Sequence, residues 1–121
     1  MTKTILISDD DPDALEIAKV ILEVNGFDVM TAANALEVET IFFEANPDLL
    51  LLDLSIPGGG VEIMKRIRRN KKEPEVPILA FTALSGTDEQ ERLKLQGFDG
   101  VVPKPCRPEE IVNIVRKFLK E

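Results

Sequence analysis

Residues 5–15 read ILISDDDPDAL, an aliphatic stretch that runs into three consecutive aspartates and then a proline. Carboxylates packed this densely repel one another. At about 4 Å and an effective dielectric near 20, a pair costs about 4 kcal/mol before solvent relaxes around it. Such a run stands either in open water or around a shared cation. The aliphatic part decides the fold. Ile5-Leu6-Ile7 is continuous rather than alternating, as are Leu49 to Leu52 and Ile78-Leu79-Ala80-Phe81. Continuous runs of this length mark strands buried on both faces, as in a parallel sheet.

Outward from these runs, apolar stretches at 4–8, 28–31, 48–52, 77–81 and 100–102 alternate with helical stretches at 12–25, 36–45, 61–70, 87–96 and 108–120. Pro12 and Pro108 suit the first turn of a helix, and Asp13, Glu109 and Glu110 complement its dipole. Gly26 and Gly97 stand where helices should stop. The pattern predicts one α/β domain over residues 1–121: a doubly wound, five-stranded parallel sheet of flavodoxin-like, three-layer form. In such a sheet, ligands bind outside the carboxyl ends of the strands. With strand order 2-1-3-4-5, strands 1 and 3 lie about 4.8 Å apart. Asp9, Asp10 and Asp53 then converge on one spot, with Thr82 and Lys104 on its far side.

Composition narrows the chemistry. Hydrophobic content of 44% and charged content of 31% fit a soluble globular protein. The net charge of −7 argues against binding nucleic acid, which needs a basic face. No aliphatic run is long enough for a membrane span, and Met1-Thr2-Lys3 leads directly into the first strand without a signal-peptide pattern. A lone cysteine, Cys106, excludes an internal disulfide and reads as a small buried hydrophobe. These features predict a cytoplasmic location. Without histidine or a second cysteine, zinc sites and Ser-His-Asp or Cys-His machinery within the chain are excluded.

Two or three carboxylates at one strand edge suit Mg²⁺, or Mn²⁺, which takes hard oxygen ligands together with water and phosphate. A carboxylate is also a nucleophile towards phosphorus, and phosphoryl transfer needs positioning and charge neutralisation above all. Asp53, alone at the end of the central strand, is the candidate acceptor; Lys104 and Thr82 are placed for two phosphoryl oxygens. Plainer readings exist for each residue alone. Asp11 reads as a cap for the Pro12 helix, Lys104 as a surface charge and Thr82 as a strand-end hydroxyl. A calcium loop starting at Asp9 fails, because Ala14 and Val20 stand where glycine and glutamate belong. An aspartate-based phosphohydrolase fails at Asp13, and a flavin phosphate would be repelled by the aspartates after strand 1.

The ordered set Ile5-Leu6-Ile7-Ser8-Asp9-Asp10-Asp11, Asp48 to Leu54, Pro57-Gly58, Phe81-Thr82-Ala83 and Pro103-Lys104-Pro105 resembles the receiver domain of two-component response regulators over the whole chain. The resemblance implies that Asp53 accepts a phosphoryl group from a phosphohistidine on a sensor histidine kinase or histidine phosphotransfer protein. It implies Mg²⁺ held by Asp9, Asp10, Asp53 and the backbone carbonyl of Ser55, with Thr82 and Lys104 on the phosphoryl oxygens. A cis bond between Lys104 and Pro105 would aim the lysine inward. Such a domain signals through self-catalysed transfer and slow autodephosphorylation and is not a conventional enzyme. A degenerate receiver that serves as a protein-binding scaffold is the alternative.

Departures from the family pattern bear on output more than on phosphate acceptance. Val101 stands where receivers usually carry the aromatic residue that moves inward on activation, Ser8 replaces an apolar residue, and Cys106 replaces a large one. The loop from Ser55 to Gly60 is one residue short, and its three glycines predict backbone freedom. On the first helix, Leu15, Ala18 and Leu22 face the sheet, with Ala14 and Ile21 on their flank, while Ile17, Val20 and Val24 point largely away. A wide core face with tolerated surface aliphatics accounts for these three. The sharper reading is a docking surface for the phosphodonor, where the resemblance also places it. A weak homodimer stays open. The sequence ends at Lys120-Glu121, which fits a single-domain regulator or a piece of a longer kinase or regulator.

Overall fold

Ile5, Leu6 and Ile7 are all fully buried, yet they serve two different cores. Leu6 joins Leu50, Leu52, Ile78 and Ala80 on one face of a sheet; Ile5 and Ile7 join Leu49, Leu51, Leu79 and Phe81 on the other. This is the period-2 alternation of a strand with both faces covered. Each fully buried aliphatic side chain contributes about 1.5–3 kcal/mol before entropy is counted.

The computed structural model describes residues 2–70, 76–83 and 86–120; Met1 and Glu121 lie outside the described residues. In chain order it runs β1 (Thr4–Ser8), α1 (Pro12–Val24), β2 (Asp28–Ala32), α2 (Ala35–Ala45), β3 (Leu49–Asp53), α3 (Gly60–Asn70), β4 (Ile78–Thr82), α4 (Thr87–Gln96), β5 (Gly100–Pro103) and α5 (Pro108–Leu119). The sheet is parallel throughout with order β2-β1-β3-β4-β5, as expected. Ala18 and Leu22 of α1 pack with Ile111, Val112 and Val115 of α5 on one face. Val38 of α2, Ile63 and Ile67 of α3 and Leu93 of α4 cover the other.

The helix ends follow the sequence signals. Asp11 caps α1 by accepting from the Asp13 N–H at 3.0 Å, and Asn34 caps α2 from the Glu37 N–H at 2.9 Å. Gly26 and Gly97 turn the chain out of α1 and α4 at φ +95° and +127°. At the amino end of the sheet, Arg68 of α3 donates to the carbonyls of Val76 and Gly97 and to Asp99, whose carboxylate also accepts from the Ile78 N–H.

One detail differs from expectation. Both β3 and β4 start and end one residue later than the apolar runs suggest. Asp53 pairs with Phe81, and Thr82 with Pro103, so both polar residues are the last members of ladders and not the first of loops. The glycine loop uses its backbone freedom in a closely packed turn. Gly58 and Gly59 hold φ of +97° and +85°, and a Cβ on Gly58 would stand 2.5 Å from the Ala35 Cβ. One on Gly60 would stand 2.7 Å from the Asp53 carbonyl oxygen. With the Ala35 N–H donating to the Pro57 carbonyl at 2.9 Å, the loop is packed against the start of α2. Gly58 and Gly60 serve close approach, and Gly59 serves its left-handed backbone conformation.

Candidate functional site

Ser8 and Leu52 stand in register on adjacent strands, so Asp9 leaves β1 beside the point where β3 ends in Asp53. One carboxylate oxygen from each of Asp9, Asp10 and Asp53 lies within 4.8 Å of the others. Asp9 and Asp53 are 2% and 3% exposed, whereas Asp10 faces solvent. Thr82 is buried at the end of β4, and its carbonyl accepts from the Lys104 N–H at 2.9 Å. The Lys104–Pro105 bond is cis.

The two oxygens of Asp53 have different surroundings. Oδ1 accepts from both the N–H and the hydroxyl of Ser55, each at 3.0 Å. Oδ2 is buried, has no hydrogen-bond partner among the described residues, and lies 3.3 Å from the Lys104 ammonium. That ammonium donates to Asp9 Oδ2 at 2.6 Å and sits 4.5 Å from the centroid of the Phe81 ring. Burial opposes the charge on Asp9. The hydrogen bond from Lys104, the Asp11 N–H at 3.0 Å, the lysine charge and the contact with Asp53 outweigh it, and hold the Asp9 carboxyl below its ordinary value.

Three carboxylates and one ammonium leave the cluster with two negative charges in excess. A buried oxygen without a hydrogen-bond partner among the described residues and an all-oxygen donor set fit a hard divalent cation. The arrangement thus joins a buried carboxylate oxygen, a carboxylate cluster that could hold a cation and an ammonium within one strand edge.

The family model for the response regulator receiver domain matches residues 5–116. The chain belongs to the response regulator receiver domain family. This receiver domain is 35% identical over 121 residues to the DNA-binding response regulator MtrA of Mycolicibacterium smegmatis, covering 99% of this chain and 52% of that protein. It is 33% identical over 119 residues to the phosphate regulon transcriptional regulatory protein PhoB of Pseudomonas aeruginosa, covering 98% and 52%. The chain thus spans about half the length of these curated relatives. A response regulator receiver domain protein from Methanospirillum hungatei superimposes with a TM-score of 0.88 at 26% identity, over 99% of this chain and 95% of that one. Receiver domains bind Mg²⁺ at an acidic pocket and interact with histidine kinases or phosphotransfer proteins.

The strand edge of this receiver domain brings together Asp9, Asp10, Asp53, Thr82 and Lys104, with Ser55 two residues after Asp53 and bonded to it. Two contacts were not anticipated. Lys104 pairs at closest range with Asp9, and Phe81 forms the floor beneath the ammonium. Phe81 carries a signal for this, since it stands opposite Asp53 in the ladder. Cys106 is half-buried and not a core residue. Burial, and then the nearby Glu110 charge, push its thiol up. Val101 is half-buried against the core on the α4 side. On α1, Ile17, Val20 and Val24 are 61%, 48% and 77% exposed. Ile17 and Ile21 line an apolar groove of about 340 Å³ with Pro105, Cys106 and Ile111, next to Lys104. Among the described residues, no helix is long and apolar enough to cross a membrane.

Proposed function

We propose that residues 1–121 form one receiver domain in which Asp53 accepts a phosphoryl group from a partner phosphohistidine. The observation that carries this reading is Asp53 Oδ2: a buried carboxylate oxygen with no hydrogen-bond partner among the described residues, 3.3 Å from an ammonium. Its lone pair is available to form the O–P bond while the N–P bond of the phosphohistidine breaks and the imidazole keeps the electron pair. Ser55 holds Oδ1 and so fixes the rotation of the carboxylate. Asp9, Asp10, Asp53 and the Ser55 carbonyl would hold Mg²⁺ or Mn²⁺, which neutralises charge on the phosphoryl group. Lys104 and the Thr82 hydroxyl take the remaining phosphoryl oxygens, and Lys104 needs little movement to do so.

The phosphodonor docks on α1, where Ile17, Val20 and Val24 are exposed and Ile17 also lines the apolar groove next to Lys104. Burying three such side chains contributes about 4–8 kcal/mol gross, before association costs. The protein acts in the cytoplasm, binds no nucleic acid through this domain, and alters protein–protein contacts when phosphorylated.

The test is incubation with Mg²⁺ and a small-molecule phosphodonor, followed by intact-mass measurement. Wild type gains one phosphoryl group and Asp53→Asn gains none. A folded wild type that gains no mass is instead a protein-binding scaffold.

A further inference from the structure

We propose that Ser8 is a positioning residue for this site: its buried hydroxyl ties the end of β1 to the backbone on both sides of Leu52 and so sets the spacing of the Asp9 and Asp53 carboxylates. The inference rests on the reading of Asp53 as acceptor. Ser8 is fully buried, and its hydroxyl donates to the Leu51 carbonyl at 3.4 Å and accepts from the Asp53 N–H at 3.2 Å. Every neighbour in the adjoining ladder, from Leu6 and Ile7 to Leu50, Leu51 and Leu52, is a fully buried aliphatic. A hydroxyl in such surroundings is unfavourable unless it is bonded, so packing alone would be served as well by alanine or valine.

What the hydroxyl does is local to the chemistry. Asp9 follows Ser8 directly at the end of β1, and the amide that Ser8 holds belongs to Asp53 itself. The two carboxylates that must share one cation therefore leave their strands on either side of a single side-chain bridge. Without it, the strand ends are joined by ladder bonds and, further out, by the Lys104 ammonium between the two carboxylates, and a small splay between the strands alters the distance between carboxylate oxygens directly. Groups that orient ligands from behind typically change metal affinity or activity by about 10–100-fold. A bridge that acts through backbone should sit at the lower end of that range.

The experiment compares wild type, Ser8→Ala, Ser8→Thr and Ser8→Cys. Mg²⁺ affinity of the unphosphorylated protein is measured by titration calorimetry, the Asp53 amide by hydrogen exchange, and mass gain with a small-molecule donor by rate. Ser8→Ala should weaken Mg²⁺ binding and slow mass gain by roughly three- to tenfold, and speed exchange at Asp53, with little change in melting temperature. Ser8→Thr keeps the hydroxyl and should restore all three, with Ser8→Cys intermediate. Overturning results are a Ser8→Ala protein with wild-type Mg²⁺ affinity, or one in which affinity falls only as far as global stability does. Equal losses in Ser8→Ala and Ser8→Thr also overturn it, because they would report volume and not the hydroxyl. If wild type takes up no phosphate, the function proposed for Asp53 is what fails, and the calorimetry still decides the role of Ser8.

Discussion

The Lys104 ammonium donates to Asp9 Oδ2 at 2.6 Å across 95 residues of sequence, and the same nitrogen stands 3.3 Å from Asp53 Oδ2. One cation thus serves two buried carboxylates, and its closer partner is Asp9, not the candidate acceptor Asp53. Charge brought by Mg²⁺ next to Asp9 would loosen that closer contact. Lys104 would then be available to an incoming phosphoryl oxygen at the moment the site is loaded.

Lys104→Met should destabilise the domain by about 1–3 kcal/mol in the absence of divalent cation. It leaves Asp9 buried without its compensating charge. Mg²⁺ should recover more stability in the variant than in wild type, because it supplies the missing positive charge. Urea unfolding with and without Mg²⁺ checks both parts. Equal stability of variant and wild type without metal would show that the Asp9 contact contributes nothing.

The lowered Asp9 carboxyl fixes the direction of a pH effect. A carboxyl held below its unfolded value adds stability that is complete above that value, ordinarily 3.8, and that disappears as pH falls through the folded value. Wild type should therefore lose urea resistance steeply below about pH 4, beyond what its exposed carboxylates account for. Asp9→Asn should flatten that acid limb. An unchanged limb would place the effect at other carboxylates.

Asp10 is exposed, so its repulsion with Asp9 and Asp53 is screened, but it is not absent. Without metal and at low salt, Asp10→Asn should raise the melting temperature by about 1–3 °C. With Mg²⁺ the order should reverse: wild type gains about 2.7 kcal/mol at 100 times its dissociation constant, and the variant gains less. Thermal melts in Mg²⁺ and in a chelator separate the two. A variant as responsive to Mg²⁺ as wild type would remove Asp10 from the cation site.

Ile17 lines the groove beside Lys104 yet is 61% exposed, so a charge there can be tolerated by the fold. Ile17→Glu should slow transfer from the cognate phosphohistidine protein by about tenfold or more, the loss expected when a buried apolar contact is replaced by a desolvated charge. Modification by a small-molecule donor should be unchanged. Val20→Glu should act in the same direction. Equal slowing with both donors would indicate damage to the fold, and no slowing with either would take α1 out of the interface.

The architecture was readable in the sequence because local and global signals agree. The aliphatic runs Ile5-Leu6-Ile7 and Leu49 to Leu52 have no polar position, so they can only be strands with both faces covered, and that fixes where Asp9, Asp10 and Asp53 emerge. What stayed hidden lies in pairings between distant residues. Lys104 has several carboxylates within reach of its flexible stem, and nothing in its neighbours selects Asp9 over Asp53. The role of the loop glycines is hidden for a related reason. A Gly-Gly-Gly run reads as freedom until Ala35 and the Asp53 carbonyl are seen pressed against it. Ser8 reads as a departure from the family pattern, and its two hydrogen-bond partners lie 43 and 45 residues away.

At the opposite end of the sheet, Arg68 grips the Gly97 carbonyl, where α4 turns into β5, together with the carbonyl of Val76 and the carboxylate of Asp99. The first turn of α4, by contrast, has no side-chain cap. The two ends of α4 are thus held differently, one by a side chain from α3 and the other by backbone bonds such as that from the Gln90 N–H to the Gly86 carbonyl at 2.9 Å. With Val101 offering no ring to lever inward, a rearrangement of α4 on phosphorylation is expected at Thr87 and Asp88 ahead of Gln96, and amide hydrogen exchange along the helix checks it.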